Sequence, residues 1–233
     1  MSKNISRKND IDALVSKIKY QYINIEKLYN VSLQKQEIAS DLKIEVKNYL
    51  ENSRSILDYC AHDIADVLGI IADKIYFPIV GKNKNSKSFE GSVGSNLPGL
   101  KLKNKDVFEY LESIQPYNDG FSWLADFSTV TVDYKHSQLT PQTKTETQRI
   151  VSKHVGGGEV SWNLSAVKFG SGVFIHSALV DPITQMPAAT PETTLIKEVW
   201  VDFRFDGMVS ALPLLKEIHD KVPVIVEHLY KIL

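Results

Sequence analysis

The sequence has little of what disulfide-rich, metal-binding and strongly charged proteins depend on. Its 233 residues include one cysteine, Cys60, which excludes an internal disulfide and a zinc site built from several cysteines. Its 27 basic and 28 acidic side chains give a formal net charge of -1. The chain as a whole therefore has no field that would attract nucleic acid or an anionic membrane, and any such partner must be bound by a local patch.

Long hydrophobic runs are also absent. The most apolar run, VLGIIADKIYFPIV, is interrupted by Asp73 and Lys74 and is shorter than the roughly 20 residues that cross a bilayer. The opening residues MSKNISRKND contain no apolar core of a signal peptide. These features predict a cytoplasmic protein without membrane contact, and a composition of 43 % hydrophobic and 24 % charged residues is typical of a globular one.

Apolar residues recur at steps of three and four along the first 140 residues, which predicts α-helices. The β-branched run STVTV at 128–132 favours a strand, but the apolar residues around it share one helical face, so we expect a helix there. Residues 81–105 are rich in Gly, Ser, Asn and Lys and predict a loop. The predicted helices cover about residues 9–30, 38–69, 105–114 and 121–139.

From about residue 145 the pattern changes to short segments rich in β-branched and aromatic residues. The alternation in LIKEVWVDFRF predicts an antiparallel sheet with one face in water, and GGGEVSW is interpreted as a turn. An amphipathic helix follows over about residues 209–232. The predicted fold class is α+β, with a helical bundle in residues 1–144 and, in residues 145–233, a small antiparallel sheet plus a C-terminal helix that packs on the bundle.

One stretch of the long second helix carries charged residues inside an apolar face. In RSILDYCAHD, residues 54–63, Arg54, Asp58 and His62 recur at intervals of four, and we call these three residues the polar seam. A guanidinium beside the core is costly unless it is paired, and Asp58 lies one turn away. The simplest interpretation is a structural salt bridge, with His62 at the solvent edge.

The fourth predicted helix becomes polar in its last half, where Lys135 takes an inward position and His136 follows. If the second and fourth helices are neighbours, Arg54, Asp58, His62, Lys135 and His136 line one cleft. A histidine with a pKa near its ordinary value of about 6.5 can take the proton from a ribose 2′-hydroxyl, while a cationic side chain stabilises the charge on the phosphorane. This chemistry uses no metal and no cofactor.

A basic segment is a second candidate surface. Residues 82–105 contain six lysines and one acidic residue, Glu90. Such a loop could hold a phosphate backbone, although a solvated lysine-rich loop is the simpler explanation. His154 and His176 are not at metal-ligand spacing, so no metal site is predicted. The candidate nucleic-acid-binding residues are Lys82, Lys84, Lys87, Lys101 and Lys103.

Three short motifs carry a resemblance to known proteins: R-S-x-L-D-Y at 54–59, IQPY at 114–117 and D-Y-K-H at 133–136. Together they resemble an uncharacterised group of bacterial helical proteins and, more distantly, the HEPN superfamily. That superfamily consists of four-helix bundles, many of them metal-independent ribonucleases of defence and toxin systems that act as dimers through an Arg-x4-6-His motif. The resemblance covers about residues 9–140.

The resemblance implies a protein of stress or phage defence that binds or cleaves RNA, as a homodimer. His62 or His136 would then be the general base or acid, Arg54 and Lys135 would contact phosphate, and Asp58 would orient Arg54. The alternative that the residues leave open is a non-catalytic protein-interaction module, in which the polar seam fixes helix register.

Overall fold

The computed structural model describes residues 7–35, 37–133, 142–164, 166–205 and 209–233. Helices precede and follow the strands, so the protein is of the α+β class, as predicted. The helices are α1 (Lys8–Lys35), α2 (Ser40–Leu68), α3 (Ser86–Asn96), α4 (Leu100–Lys103), α5 (Lys105–Ser113), α6 (Trp123–Asp133) and α7 (Ala211–Ile232). The strands are β1 (Gln142–His154), β2 (Glu159–Asn163), β3 (Phe174–Ile175), β4 (Ala178–Leu179), β5 (Thr193–Phe205) and β6 (Val209–Ser210).

The chain divides into two compact units. The helical unit comprises residues 1–143 together with 204–233, and the β unit comprises residues 144–203. The terminal helix α7 is thus part of the helical unit. In the part of the chain that the structure describes, no helix has both the length and the hydropathy needed to cross a bilayer.

The long helices α1 and α2 form because their apolar residues repeat at helical spacing, and both bury the predicted faces. On α1 the buried side chains include Ile11, Ile18, Tyr22, Ile25 and Tyr29. On α2 they include Leu42, Val46, Leu50, Leu57, Ala61 and Ile64. The two helices pack on each other, and α7 packs on both. The periodicity of the sequence therefore determines this core.

The end of α2 is determined by a glycine and a lysine. Gly69 adopts a left-handed conformation with φ 59°, and its N–H donates to the carbonyls of Ala65 and Asp66. This conformation is strained for any residue with a Cβ. The Nζ of Lys103 donates to the carbonyls of Leu68 at 2.9 Å and Gly69 at 3.0 Å, so it satisfies carbonyls that the helix leaves open.

The predicted loop at 81–105 is wrong, because most of it is helical. Asn85 caps α3 by accepting a hydrogen bond from the N–H of Ser88, and Asn104 caps α5 in the same way. The buried residues of this segment, Phe89, Val93, Leu97 and Leu100, recur at helical steps. The Gly, Ser and Asn content suggested a loop, whereas these residues occupy the caps and the exposed faces.

The helix predicted across STVTV is confirmed within the described residues, and α6 runs from Trp123 to Asp133. Leu124, Phe127 and Val130 are buried on one face. The hydroxyl of Thr131 donates to the carbonyl of Phe127 at 2.9 Å, a contact that satisfies a polar β-branched residue inside a helix. The predicted continuation to Leu139 lies outside the described residues.

The β unit is built around a hairpin of β1 and β2, in which Ile150 lies opposite Trp162. The turn between them contains Gly157 and Gly158, both with positive φ, as the glycine run predicted. Strands β2, β1, β5 and β6 are adjacent in that order. The alternation predicted for LIKEVWVDFRF is confirmed in the described end of β5, where Phe203 and Phe205 are buried and Asp202 and Arg204 are not, whereas Ile150, Val151 and Ser152 of β1 are all buried.

A buried carboxylate joins three parts of the helical unit. Asp63 on α2 has 0 % exposure. Its Oδ2 accepts a hydrogen bond from the hydroxyl of Tyr230 on α7 at 2.6 Å. Its Oδ1 accepts hydrogen bonds from the backbone N–H and the Nη1 of Arg7, immediately before α1, each at 3.2 Å. Burial, together with the hydrogen bond to Asp63, raises the pKa of Tyr230.

We expect Tyr230→Phe to lower the free energy of unfolding by about 1.5 to 3 kcal/mol, the contribution of a hydrogen bond to a charged group. The change leaves the carboxylate of Asp63 with fewer donors, whereas the apolar ring stays in place. Urea denaturation measures the difference. Tyr20→Phe is the control, because Tyr20 is exposed on α1 and should change the stability by no more than about 0.5 kcal/mol. Equal stabilities of the two variants would contradict the role assigned to Asp63.

Candidate functional site

The polar seam of α2 holds the main chain of Phe77. The Nε of Arg54 donates to Oδ2 of Asp58 at 3.1 Å, and its Nη2 donates to the carbonyl of Phe77 at 3.4 Å. The backbone N–H of Phe77 donates to Oδ1 of Asp58 at 2.9 Å. Each of the two charged side chains is 20 % exposed. The pair thus satisfies both polar backbone groups of a residue whose own side chain is buried.

The segment that follows is held in the same manner by Gln115, a fully buried residue of the IQPY motif. Its Oε1 accepts a hydrogen bond from the N–H of Val80 at 3.1 Å, and its Nε2 donates to the carbonyl of Pro78 at 3.0 Å. Two of the three sequence motifs therefore contribute side chains that replace the hydrogen bonds of a strand along residues 77–80. Gln115 therefore has a structural role, which its sequence motif did not predict.

Part of the polar seam is not used in this way. The Nη1 of Arg54 is buried and has no hydrogen-bond partner within the described residues. His62 is half-buried, one turn beyond Asp58. The predicted cleft required the second and fourth predicted helices to be neighbours, and the corresponding helices α2 and α6 are in contact. Lys135 and His136 lie outside the described residues, so the structure brings Arg54 and Asp58 together and leaves the other half of the predicted cleft as a prediction.

The five candidate lysines do not form one free basic loop. Lys82 pairs with Asp126 of α6 at 2.7 Å, and Lys101 pairs with Glu90 at 2.7 Å. The hydrogen bond that Lys101 donates to Glu90 raises the pKa of Lys101. Lys103 caps the end of α2, as described above. Lys84 and Lys87 are exposed and form no ion pair in the described part of the chain.

An apolar cavity of 310 Å³ lies beside α7, and we call it the α7 cleft. Its walls include Tyr110, Ile114, Phe121, Val224, Ile225 and His228. The rings of Tyr110 and His228 stack with centroids 4.1 Å apart. Burial raises the pKa of Tyr110 to about 12, so its hydroxyl remains protonated near neutral pH. Val224 is 61 % exposed, although it is apolar and lies on the helix that completes the core.

Lys221 lines both this cleft and a second cavity of 270 Å³ whose walls include Asp126 and Glu217. Its Nζ donates to the carbonyl of Gly120 at 2.7 Å and lies 2.5 Å from Oε2 of Glu217. The same ammonium is 5.7 Å from the centre of the Phe121 ring, within range of a cation–π contact. These contacts fix the lysine side chain at one end of the α7 cleft.

Sequence reasoning missed both Asp63 and the α7 cleft. Asp63 belongs to the quoted stretch RSILDYCAHD, but its partners are 56 and 167 residues away in the chain. The cleft is formed by residues of α5, of the turn before α6 and of α7. The spacing of residues along the chain does not predict which distant elements come into contact. Its only local signal is Val224, an apolar residue that follows Pro223 and lies outside the apolar stripe of α7.

The remaining histidines that sequence analysis noted, His154 and His176, meet in the β unit. Their rings stack with centroids 5.4 Å apart, and the Nε2 of His154 lies 3.6 Å from Oε2 of Glu192. Nε2 of His176 is 3.3 Å from the carbonyl of Ser152. Among the described residues there is no group of three or more His, Cys, Asp or Glu side chains that could hold a metal ion.

Comparison with known proteins identified no relative of this chain. No family model, no curated protein and no solved structure matches the chain. The resemblance to the HEPN superfamily therefore stays a prediction, and the geometry of the described residues carries the functional argument.

If the Arg54–Asp58 pair is structural, Arg54→Ala and Asp58→Ala should each lower the free energy of unfolding by about 3 kcal/mol, because each leaves the other charge and one backbone group of Phe77 without a partner. The double variant should lose clearly less than the sum, since the two groups act as a unit. Chemical denaturation of the four proteins measures this coupling.

A control cycle comes from the same helix. Lys47 and Glu51 have the same i,i+4 spacing, 3.7 Å apart, but hold no backbone group among the described contacts. Their coupling should be about 0.3 to 0.5 kcal/mol. A coupling of Arg54 with Asp58 no larger than this would contradict the structural role.

Proposed function

We propose that the helical unit is a non-catalytic protein-interaction module in which the polar seam of α2 is structural. The observation that carries this proposal is the commitment of Asp58. Both of its oxygens accept hydrogen bonds, one from Arg54 and one from the main chain of Phe77. A general base must direct free lone pairs at its substrate, whereas each oxygen of Asp58 already accepts a hydrogen bond, and two of the three guanidinium nitrogens of Arg54 already donate one.

The α7 cleft is the surface that we assign to the partner. Protein interfaces are anchored by a few bulky side chains that enter preformed, largely apolar pockets. The cleft has apolar and aromatic walls, and its aromatic stack and its tethered lysine are already in place. The exposed Val224 adds apolar surface at its edge. The partner is a protein segment that presents one bulky apolar side chain, such as leucine or phenylalanine.

Selection of displayed random peptides against the folded chain tests this assignment. Enriched peptides should share a bulky apolar residue and should lose at least about tenfold in affinity for Val224→Asp, since a carboxylate at the edge of an apolar pocket is unfavourable. Ile23→Asp is the matched control, because Ile23 is also apolar and exposed on a helix and is not part of the cleft. Peptides that bind Val224→Asp as well as the wild type, or no enrichment at all, would refute the α7 cleft as the binding surface.

RNA cleavage of the HEPN type is the second candidate function. Three observations support it: α2 contacts α6, the Nη1 of Arg54 has no partner among the described residues, and Lys84 and Lys87 are exposed. In this proposal His62 or His136 is the general base or acid, and Arg54 and Lys135 contact phosphate, while Asp58 keeps Arg54 in place.

Incubation of the protein with labelled single-stranded RNA in the presence of a chelator separates the two functions. The interaction module predicts no cleavage. The second candidate predicts cleavage that falls by about 10² to 10⁴ in Lys135→Ala/His136→Ala, the contribution of general acid–base catalysis. The control Lys153→Ala/Glu159→Ala changes an exposed ion pair of the β unit and should cut like the wild type. Cleavage with this pattern would replace the first proposal by the second.

A further inference from the structure

Two turns of the β unit lie side by side, and each begins with a histidine. His154 is the last residue of β1, where the turn to β2 starts. His176 is the first residue after β3, in the two-residue turn to β4. Their imidazole rings are stacked with an angle of 30° between the ring planes. Because a histidine ring takes up a proton within the physiological pH range, we compared what each ring needs in order to keep its contacts.

The contacts of His154 require a neutral ring. Its Nδ1 accepts a hydrogen bond from the N–H of Gly156 at 3.0 Å. An amide N–H is a donor, so in this contact Nδ1 carries no hydrogen and Nε2 carries it. A hydrogen on Nδ1 would face the hydrogen of the amide, and the bond could not form. The approach also requires glycine, because a Cβ on Gly156 would lie 3.0 Å from Nδ1.

The contact of His176 does not require a neutral ring. Its Nε2 lies 3.3 Å from the carbonyl of Ser152, and since a carbonyl only accepts, Nε2 is the donor. A proton that binds to Nδ1 leaves this bond intact. The backbone of His176 and Ser177 has φ 50° and 65°, the left-handed conformation of a tight hairpin turn. The hydrogen bond to Ser152 thus ties this turn to β1 in both protonation states of the ring.

The charged groups near His154 belong to three elements. Glu192, in the segment before β5, places its Oε2 3.6 Å from Nε2 of His154. Lys153 of β1 and Glu159 of β2 are opposite each other and form an ion pair at 3.3 Å. Because neighbours in a strand point to opposite faces, this pair projects away from the His154 ring. A cationic His154 is therefore stabilised by Glu192 and opposed by a protonated His176 in the neighbouring turn.

We propose that the hydrogen bond between His154 and Gly156 is a pH-sensitive latch, which holds the turn at residues 155–158 while the His154 ring is neutral. Uptake of a proton at Nδ1 turns the acceptor into a donor, so the bond to Gly156 breaks. The ring then leaves its stack with His176, and the turn keeps only its main-chain hydrogen bonds. The β3–β4 turn stays attached, because the contact of His176 survives protonation. This device belongs to the β unit and does not depend on the function of the α7 cleft.

Nitrogen NMR of the imidazole rings in the full chain tests the first step. At about pH 8, above the ordinary histidine pKa of about 6.5, His154 should carry its hydrogen on Nε2 and none on Nδ1. His154→Phe, which keeps an aromatic ring at this position, identifies the signals. A His154 ring with its hydrogen on Nδ1 in these conditions would overturn the proposal.

Exchange of the Gly156 amide with water, followed by NMR at several pH values, tests the latch itself. At about pH 7 the amide should exchange about tenfold faster in His154→Phe than in the wild type, the contribution of one hydrogen bond. The ratio should approach one where the ring signals of the wild type show a protonated His154. His176→Asn removes the second ring but suits the left-handed backbone, and it should retain this pH dependence.

His62→Gln is the control from the helical unit and should leave the exchange of the Gly156 amide unchanged at every pH. Equal exchange in His154→Phe and in the wild type in neutral solution would overturn the proposal. So would a ratio that stays constant while His154 titrates, or a pH dependence that disappears in His176→Asn.

Discussion

The fully buried carboxylate of Asp63 is the constraint on which the arrangement of the helical unit depends. A charge in that position is tolerated only when donors surround it. The donors come from Arg7 just before α1 and from Tyr230 near the end of α7. The side chain of Asp63 therefore links α2 to both of these helices. Earlier on the same helix, Arg54 and Asp58 form hydrogen bonds with the main chain of Phe77 and so hold the extended segment against α2.

The sequence could predict those features that depend on local spacing. The faces of α1 and α2 and the pairing of Arg54 with Asp58 follow from steps of three and four along a helix. The prediction of a loop at 81–105 is wrong because the Gly, Ser and Asn residues there are typical of loops, whereas the helical spacing of Phe89, Val93 and Leu97 indicates the buried face of a helix. Asp63, Gln115 and the α7 cleft could not be predicted, since each acts through residues that are distant in the chain.

The same contacts bear on function. A polar residue in an apolar helix face is expected to be either a reactive group or a structural one, and its hydrogen-bond partners distinguish the two. Both oxygens of Asp58 accept hydrogen bonds, from Arg54 and from the main chain of Phe77, whereas Nη1 of Arg54 has no partner among the described residues. This division is why an interaction module is the first proposal and RNA cleavage the second. The proposed contact surface, the α7 cleft, is largely apolar and belongs to the helical unit.

Hydrogen exchange at the backbone amide of Phe77 tests the central claim, that Asp58 and Arg54 hold this residue permanently in the native state. If they do, the amide exchanges only when the helical unit unfolds, and its protection equals that of a core amide of α2 such as Leu57. In Asp58→Ala that protection should disappear while other core amides keep the protection that the lower stability allows. A Phe77 amide that exchanges in the wild type as fast as in an unstructured peptide would contradict the account, because the hydrogen bond to Asp58 would then not hold this segment.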